Sequence, residues 1–259
     1  MIIVDIQNSL LSYEECRSAM QNWTECRSSF SEIKKRVVTN YVFNLSKDSL
    51  EWMRNIGGKS SEFCAGIGIH KDQLILILYP MDDSGKRIEA GEYPVAFLSE
   101  LTRDVMLQEI KEYTIVKNAV LSRNLEPMGR DADMAFPVSD KPILEQDKAL
   151  EAIDKWRLEG MDWFYRECGI EKGSGIFRKF YVPTADLCLS DEGLTDIVCS
   201  FGLKYNDIYG KMLATLIFIS FHENLENTGG VQTISNTYDW AKPCPPICRL
   251  PDDGVGNEF

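Results

Sequence analysis

Two stretches of this chain, 133 positions apart, carry one amphipathic pattern. Leu11 aligns with Leu144, Cys16 with Ala149, Met20 with Ile153, Trp23 with Trp156 and Phe30 with Trp163. Within each copy the last four positions fall at i, i+4, i+7 and i+14, which is one face of an α-helix. An internal repeat constrains a fold more than any single motif, because one blueprint must then serve twice. Each copy is expected to open with a helix whose central tryptophan anchors a core.

Three further blocks recur in the same order. YVFNLSKDSL from Tyr41 parallels FYVPTADL from Phe180, with Phe43 on Tyr181, Ser46 on Thr184 and Asp48 on Asp186 at an offset of 138. Each reads as a short strand followed by a Ser or Thr that caps a helix. FCAGIGI, ending at Ile69, parallels IVCSFGL, ending at Leu203, with Gly68 on Gly202. LILIL (Leu74 to Leu78) parallels ATLIF (Ala214 to Phe218) at an offset of 140. Such apolar runs suit strands buried on both faces. Each copy therefore reads helix, strand, short helix, strand, strand.

The expected fold is α+β, with two tandem, diverged modules packed against each other and antiparallel or mixed sheets. The modules span 1–95 and 143–259. Between them, Leu98, Leu101, Val105 and Ile110 predict a connecting helix, and Pro127, Gly129, Pro137 and Pro142 mark a linker, together 96–142. The longest apolar run, Met212 to Phe221, is about half of what a membrane span needs, so it reads as a buried strand or helix.

Charge narrows the partners. The chain has 28 basic and 40 acidic residues, a formal net charge of −12. That repels phosphate backbones and argues against nonspecific nucleic-acid binding. It fits a basic protein partner. The N-terminus has no basic region followed by an apolar stretch, so a cytoplasmic, non-membrane protein is expected. Eight cysteines in 259 residues are too few for a disulfide scaffold.

The C-terminal YDWAKPCPPIC, Tyr238 to Cys248, is the sharpest local feature. Together with the tryptophan-centred helix, the aromatic strand, the glycine-bearing strand and the apolar strand, it resembles a family of small Bacteroidetes-type proteins ending in a Cys-Pro-rich cysteine pair. The resemblance covers the second copy and only weakly the first, which lacks the cysteine motif. It implies a source and a module boundary, not an activity.

Three readings of Cys244 and Cys248 stand side by side. They are half of a zinc site, completed by His222 or Cys199, a reversible disulfide, or a structural hook stiffened by Pro243, Pro245 and Pro246. Thiolates at short spacing suit tetrahedral zinc, but no second closely spaced cysteine pair exists. Gly57-Gly58-Lys59-Ser60 resembles the end of a phosphate-binding loop, yet Met53 stands where that motif needs glycine. His70 and His222 border strand runs with no marked nucleophile nearby. Asp82-Asp83, Glu89, Glu92 and Asp131-Ala132-Asp133 lack the alternation of a calcium loop. Asn22 and Asn44 match the glycosylation pattern, but in predicted core segments. No cofactor is expected. The expectation is a non-catalytic interaction or accessory protein of a larger assembly. The alternatives are an acidic immunity-type binder of a basic partner, or a thiol or metal site at Cys244 and Cys248.

Overall fold

The computed structural model describes residues 10–57, 60, 62–101, 113–116, 119–121, 127–130, 134–137, 146–187, 194–222 and 241–248. Strand β1 (Leu10–Ser12) runs into helix α1 (Tyr13–Cys26), and α2 (Phe30–Arg36) follows. Next come β2 (Val42–Leu45), α3 (Lys47–Gly57), β3 (Glu62–His70), β4 (Gln73–Met81) and β5 (Glu92–Ser99). Four short strands occupy the middle: β6 (Tyr113–Val116), β7 (Ala119–Leu121), β8 (Pro127–Arg130) and β9 (Met134–Pro137). The second half has α4 (Gln146–Gly169), β10 (Lys179–Pro183), β11 (Leu194–Asn206), β12 (Lys211–His222) and β13 (Lys242–Cys244).

The main sheet is antiparallel and nearly closed, in the order β12-β11-β2-β5-β4-β3-β10-β13, with β1 added on β5. β2, β5, β4 and β3 form an unbroken first-half stretch. Second-half strands flank both its edges: β11 pairs with β2, and β10 pairs with β3. Across the remaining seam the Thr215 hydroxyl donates to the Ala241 carbonyl at 3.2 Å.

Alternation along these strands splits the apolar residues into layers. Inside the barrel lie Phe43, Phe63, Ile67, Leu76, Phe180, Phe201, Leu216 and Phe218, together with Trp23, Trp156 and Phe177. Each fully buried Leu, Ile or Phe stabilises by about 1.5–3 kcal/mol, so this layer dominates stability. Outside, α1 covers Cys64, Ile75, Ile77 and Tyr79, while α4 covers Val198, Ile217 and Ile219.

Both helices come close to the sheet at a glycine. A Cβ on Gly68 would lie 2.9 Å from Ala19 Cβ and 3.2 Å from Ile77 Cδ1. One on Gly202 would lie 3.2 Å from Ala152 Cβ and 2.8 Å from Ile217 Cδ1. The hairpin registers match too, with Gly68 opposite Ile75 and Gly202 opposite Thr215.

α1 starts at Tyr13 because Ser12 and Glu15 form a capping box, the Glu15 N–H donating to Ser12 Oγ and the Ser12 N–H to Glu15 Oε2. Trp23 and Trp156 are buried, at 0% and 1% exposure, as core anchors. Trp23 Nε1 donates to the Phe177 carbonyl at 2.8 Å, and the Trp156 ring lies 4.7 Å from that of Phe201. The runs at Leu74 and Met212 are strands buried on both faces, β4 and β12.

Several expectations are corrected. The connecting helix gives way at its start to strand: Val95–Ser99 belongs to β5, pairing with β4 and β2, and Leu98 faces the barrel interior. Leucine spacing imitated a helix there, and pairing partners far away in sequence override it. The boundary at 95 consequently falls inside β5. Val105 and Ile110 lie outside the described residues, and the linker contains the paired strands β6–β9 and β7–β8. The match of Phe43 with Tyr181 is one residue out. Phe43 and Phe180 share the interior, whereas Tyr181 packs in the outer layer under α1, because a one-residue shift in a strand changes the face. Finally, Ser46 caps α3 through the Ser49 N–H, but Thr184 opens only a short 3-10 turn and its hydroxyl donates to the Ser60 carbonyl.

Candidate interaction site

The β3–β4 and β11–β12 hairpins close differently. His70 and Gln73 end the β3–β4 ladder around Lys71 and Asp72, both with positive φ, a tight two-residue turn. That turn is polar, and Asp72 accepts from Arg36 at 2.8 Å. The β11–β12 ladder ends at the Asn206–Lys211 pair and leaves Asp207 to Gly210 in a longer loop. Asn206 Oδ1 accepts the N–H groups of Ile208 at 3.0 Å and Tyr209 at 3.1 Å. Gly210 completes the bend at φ 59°. The loop is thus held by its own polar groups while its large side chains point to solvent. Ile208 is 89% exposed, Tyr205 55% and Tyr209 43%.

Beside this tip runs the seam between β12 and β13. A cavity of about 270 Å³ opens there, with Tyr205, Ile208 and Leu213 on one side and Pro243 and Ile247 on the other. The second wall belongs to the Cys-Pro-Pro-Ile-Cys hook. Cys244 and Cys248 are disulfide-bonded, with Cα atoms 4.7 Å apart. The peptide bonds before Pro245 and Pro246 are cis. The Ile247 N–H donates to the Pro243 carbonyl, and the Arg178 N–H donates to that of Cys244, tying the hook to the chain before β10. Cys244 is fully buried, so the hook is anchored at its root.

The other sequence candidates are scattered. Cys199 is buried inside the barrel, while Cys244 packs in the layer outside it, so the sheet separates them. His222 is the last residue of β12, opposite Leu194. Among the described residues no group of three or more His, Cys, Asp or Glu is placed to hold a metal ion. Burial pushes the Cys16 thiol up to about 12 and raises those of Cys26, Cys168 and Cys199, the opposite of what a nucleophile needs. Burial holds His70 below its usual value, with Lys71 adding to the effect.

Ser60, from the glycine-lysine stretch, is buried and bonds to β3 and β4 backbone at Glu62 and Met81. Asp82 accepts from Ser84 and Lys86 within its own turn, and these bonds lower its pKa. Asn22 donates to the Ile69 carbonyl and Asn44 to Ser99. Lys59, Asp131 and Asp133 lie outside the described residues.

A second cleft, about 380 Å³, lies between α1, α2 and the β3–β4 turn. Its principal cation, Arg36, is engaged by Glu32 at 2.7 Å and Asp72 at 2.8 Å.

Sequence reasoning passed over the tip. Its signal was present in Tyr-Asn-Asp-Ile-Tyr-Gly, where turn residues enclose an isoleucine that no core position requires. No helix among the described residues is long and apolar enough to cross a membrane. Comparison of the chain with family models, with curated proteins and with solved structures finds no match.

Proposed function

We propose that this chain is a non-catalytic interaction protein that grips a protein partner through the β11–β12 tip. The exposed Tyr205, Ile208 and Tyr209 carry this reading. Large apolar side chains clustered at a polar-braced turn are a feature of binding surfaces.

An internal duplication strengthens it. In that reading β2, β3, β4 and β5 answer to β10, β11, β12 and β13, and each half contributes four strands to the barrel. Several observations support this. The Ala19–Gly68–Ile77 contact has its counterpart in Ala152–Gly202–Ile217. Phe43 opposite Cys199 has its counterpart in Phe180 opposite Ala65. Phe43 and Leu98 are likewise matched by Phe180 and Pro243. The first half is then an internal control. Its hairpin closes with a polar two-residue turn, so the fold does not itself demand the apolar tip.

The reading includes a cytoplasmic protein without cofactor, membrane or nucleic-acid binding. The bacterial source implied by the terminal cysteine segment belongs to the same proposal. The test is quantitative affinity capture from the native host with wild-type and Ile208→Ser chains. A stoichiometric partner retained by wild type and lost by the variant supports the reading. A partner retained equally by both refutes it.

A net charge of −12 favours a second reading, an acidic immunity-type protein neutralising a basic partner. Binding that weakens steeply with salt, unaffected by Ile208→Ser, is its signature. A thiol or zinc site at Cys244 and Cys248, with His222 or Cys199, has less support, because the two sulfurs are spent on each other.

A further inference from the structure

We infer that the cavity between the tip and the Cys-Pro-Pro-Ile-Cys hook receives an apolar side chain from an acidic segment of the partner protein. This deepens the proposed function and rests on its reading of the tip.

The two features unique to the second half, the apolar turn and the cysteine hook, form the two walls of one cavity. At about 270 Å³ it falls below the roughly 300–1,000 Å³ of drug-sized ligand sites, which suits one anchoring side chain. Its floor is sheet: Leu213 is buried and Thr215 is tied to Ala241 across the seam. A preformed, braced cavity of this kind orders little on binding, which favours affinity.

Charge decides the chemistry of the segment. The chain has more acidic than basic residues, 40 against 28, yet the described lining of this cavity includes two lysines, Lys204 and Lys242, and no carboxylate. Both lysines are exposed. Asp207 is the acidic residue of the tip and is absent from that lining. Among the described residues, Lys242 therefore puts positive charge on the rim of an acidic protein. Aspartate and glutamate flanking an apolar anchor meet attraction here and net repulsion from the chain's overall charge of −12, which supplies register as well as affinity.

The test uses the full chain and short fluorescein-labelled peptides. One has a central Leu-Phe flanked by Asp and Glu. Its counterpart has the same centre flanked by Lys and Arg. Fluorescence polarisation reads the affinity for wild type, Ile208→Ser, Lys242→Glu and a control, Lys71→Glu, at the matched first-half turn. All three substituted positions are exposed, and unchanged thermal melts confirm folding. The acidic peptide is expected to bind at least about tenfold tighter than the basic one. Ile208→Ser removes about tenfold, as loss of a buried aliphatic anchor does. Lys242→Glu weakens it severalfold, and Lys71→Glu leaves it unchanged. Equal or tighter binding of the basic peptide overturns the inference, as does failure of the acidic peptide to bind. If the basic peptide binds and Ile208→Ser abolishes it, the acidic chemistry is wrong while the tip remains the interface. If the acidic peptide binds and ignores both second-half variants, tip and inference fall together.

Discussion

Replacing Gly68 and Gly202 by alanine, singly and against Ala19→Gly, reads the helix-on-sheet contact directly. At Gly68 the new methyl meets Ala19 Cβ at 2.9 Å, the Ala19 carbonyl carbon at 3.1 Å and Ile77 Cδ1 at 3.2 Å. Two of these atoms belong to a small residue on the body of α1. Relief therefore requires the helix to lift by a few tenths of an ångström. Overpacking of this kind costs about 1–3 kcal/mol. Removing a strand-interior glycine returns about 0.5–1 kcal/mol of backbone entropy. The net expectation is a loss of about 1–2 kcal/mol, or roughly 2–8 °C in Tm for a chain of this size. At Gly202 the tightest atom is Ile217 Cδ1 at 2.8 Å, the end of a side chain that rotates, while Ala152 Cβ is at 3.2 Å. Gly202→Ala should cost about 1 kcal/mol or less.

The decisive arm is the cycle. Ala19→Gly alone weakens α1 by about 1 kcal/mol, but it removes the atom that Gly68→Ala strikes. The double variant should therefore be more stable than the sum of the singles by about 1 kcal/mol or more. Urea denaturation followed by tryptophan fluorescence measures all four species, since Trp23, Trp156 and Trp163 are buried reporters. Additivity within about 0.5 kcal/mol would refute the claim that this contact sets the spacing of α1 on the sheet.

Further expectations follow from individual contacts. Cys248→Ser, or reduction, opens a five-residue loop, which in the chain-entropy model is worth about 2 kcal/mol, a Tm drop of roughly 4–8 °C. No change would mean that the pair is already reduced in solution. Because a disulfide is exceptional in a reducing cytoplasm, intact-mass analysis of protein from the native host tests the location as well. Trp23→Phe should destabilise more than Trp156→Phe by about 1–3 kcal/mol, because Trp23 Nε1 holds the Phe177 carbonyl while Trp156 Nε1 has no hydrogen-bond partner among the described residues. Denaturation midpoints that rank the other way contradict this. Ser12 bonds lower the Glu15 pKa, so the capping box stabilises above the usual carboxylate value and its contribution fades as pH falls through the folded one. Ser12→Ala should cost about 1 kcal/mol at neutral pH and somewhat less in acid, where the Glu15 N–H to Ser12 Oγ bond remains but the Glu15 carboxylate is protonated. Native-state iodoacetamide at pH 8 should spare Cys16 and Cys199, whose thiols burial keeps protonated, and modify both after unfolding.

Local physics made part of this fold legible. The helical face through Cys16, Met20 and Trp23, the Ser46 cap of α3 and the apolar runs of β4 and β12 all announce themselves within a few residues. What failed was non-local. β5 reads as helix because Leu98 and Leu101 are spaced for one, and only its pairing with β4 and β2 makes it a strand. Phe180 and Tyr181 are adjacent aromatics of equal strand propensity, and only the register against β3 says which faces inward. The site was hardest, because it joins residues near 205 to residues near 245 across a seam that no sequence window spans. Sequence reasoning did flag the cysteine pair, with a structural hook among its readings, but nothing local said what the hook would face. In the structure the hook is a wall.

Hydrogen–deuterium exchange of the chain, free and in the complex captured from its host, tests the central claim most directly. Protection on binding should concentrate in peptides covering Tyr205–Leu213 and Lys242–Cys248, with the β3–β4 turn at Lys71 and Asp72 unchanged. Protection centred on that first-half turn, or spread over the acidic surface with the tip still exchanging freely, would contradict it.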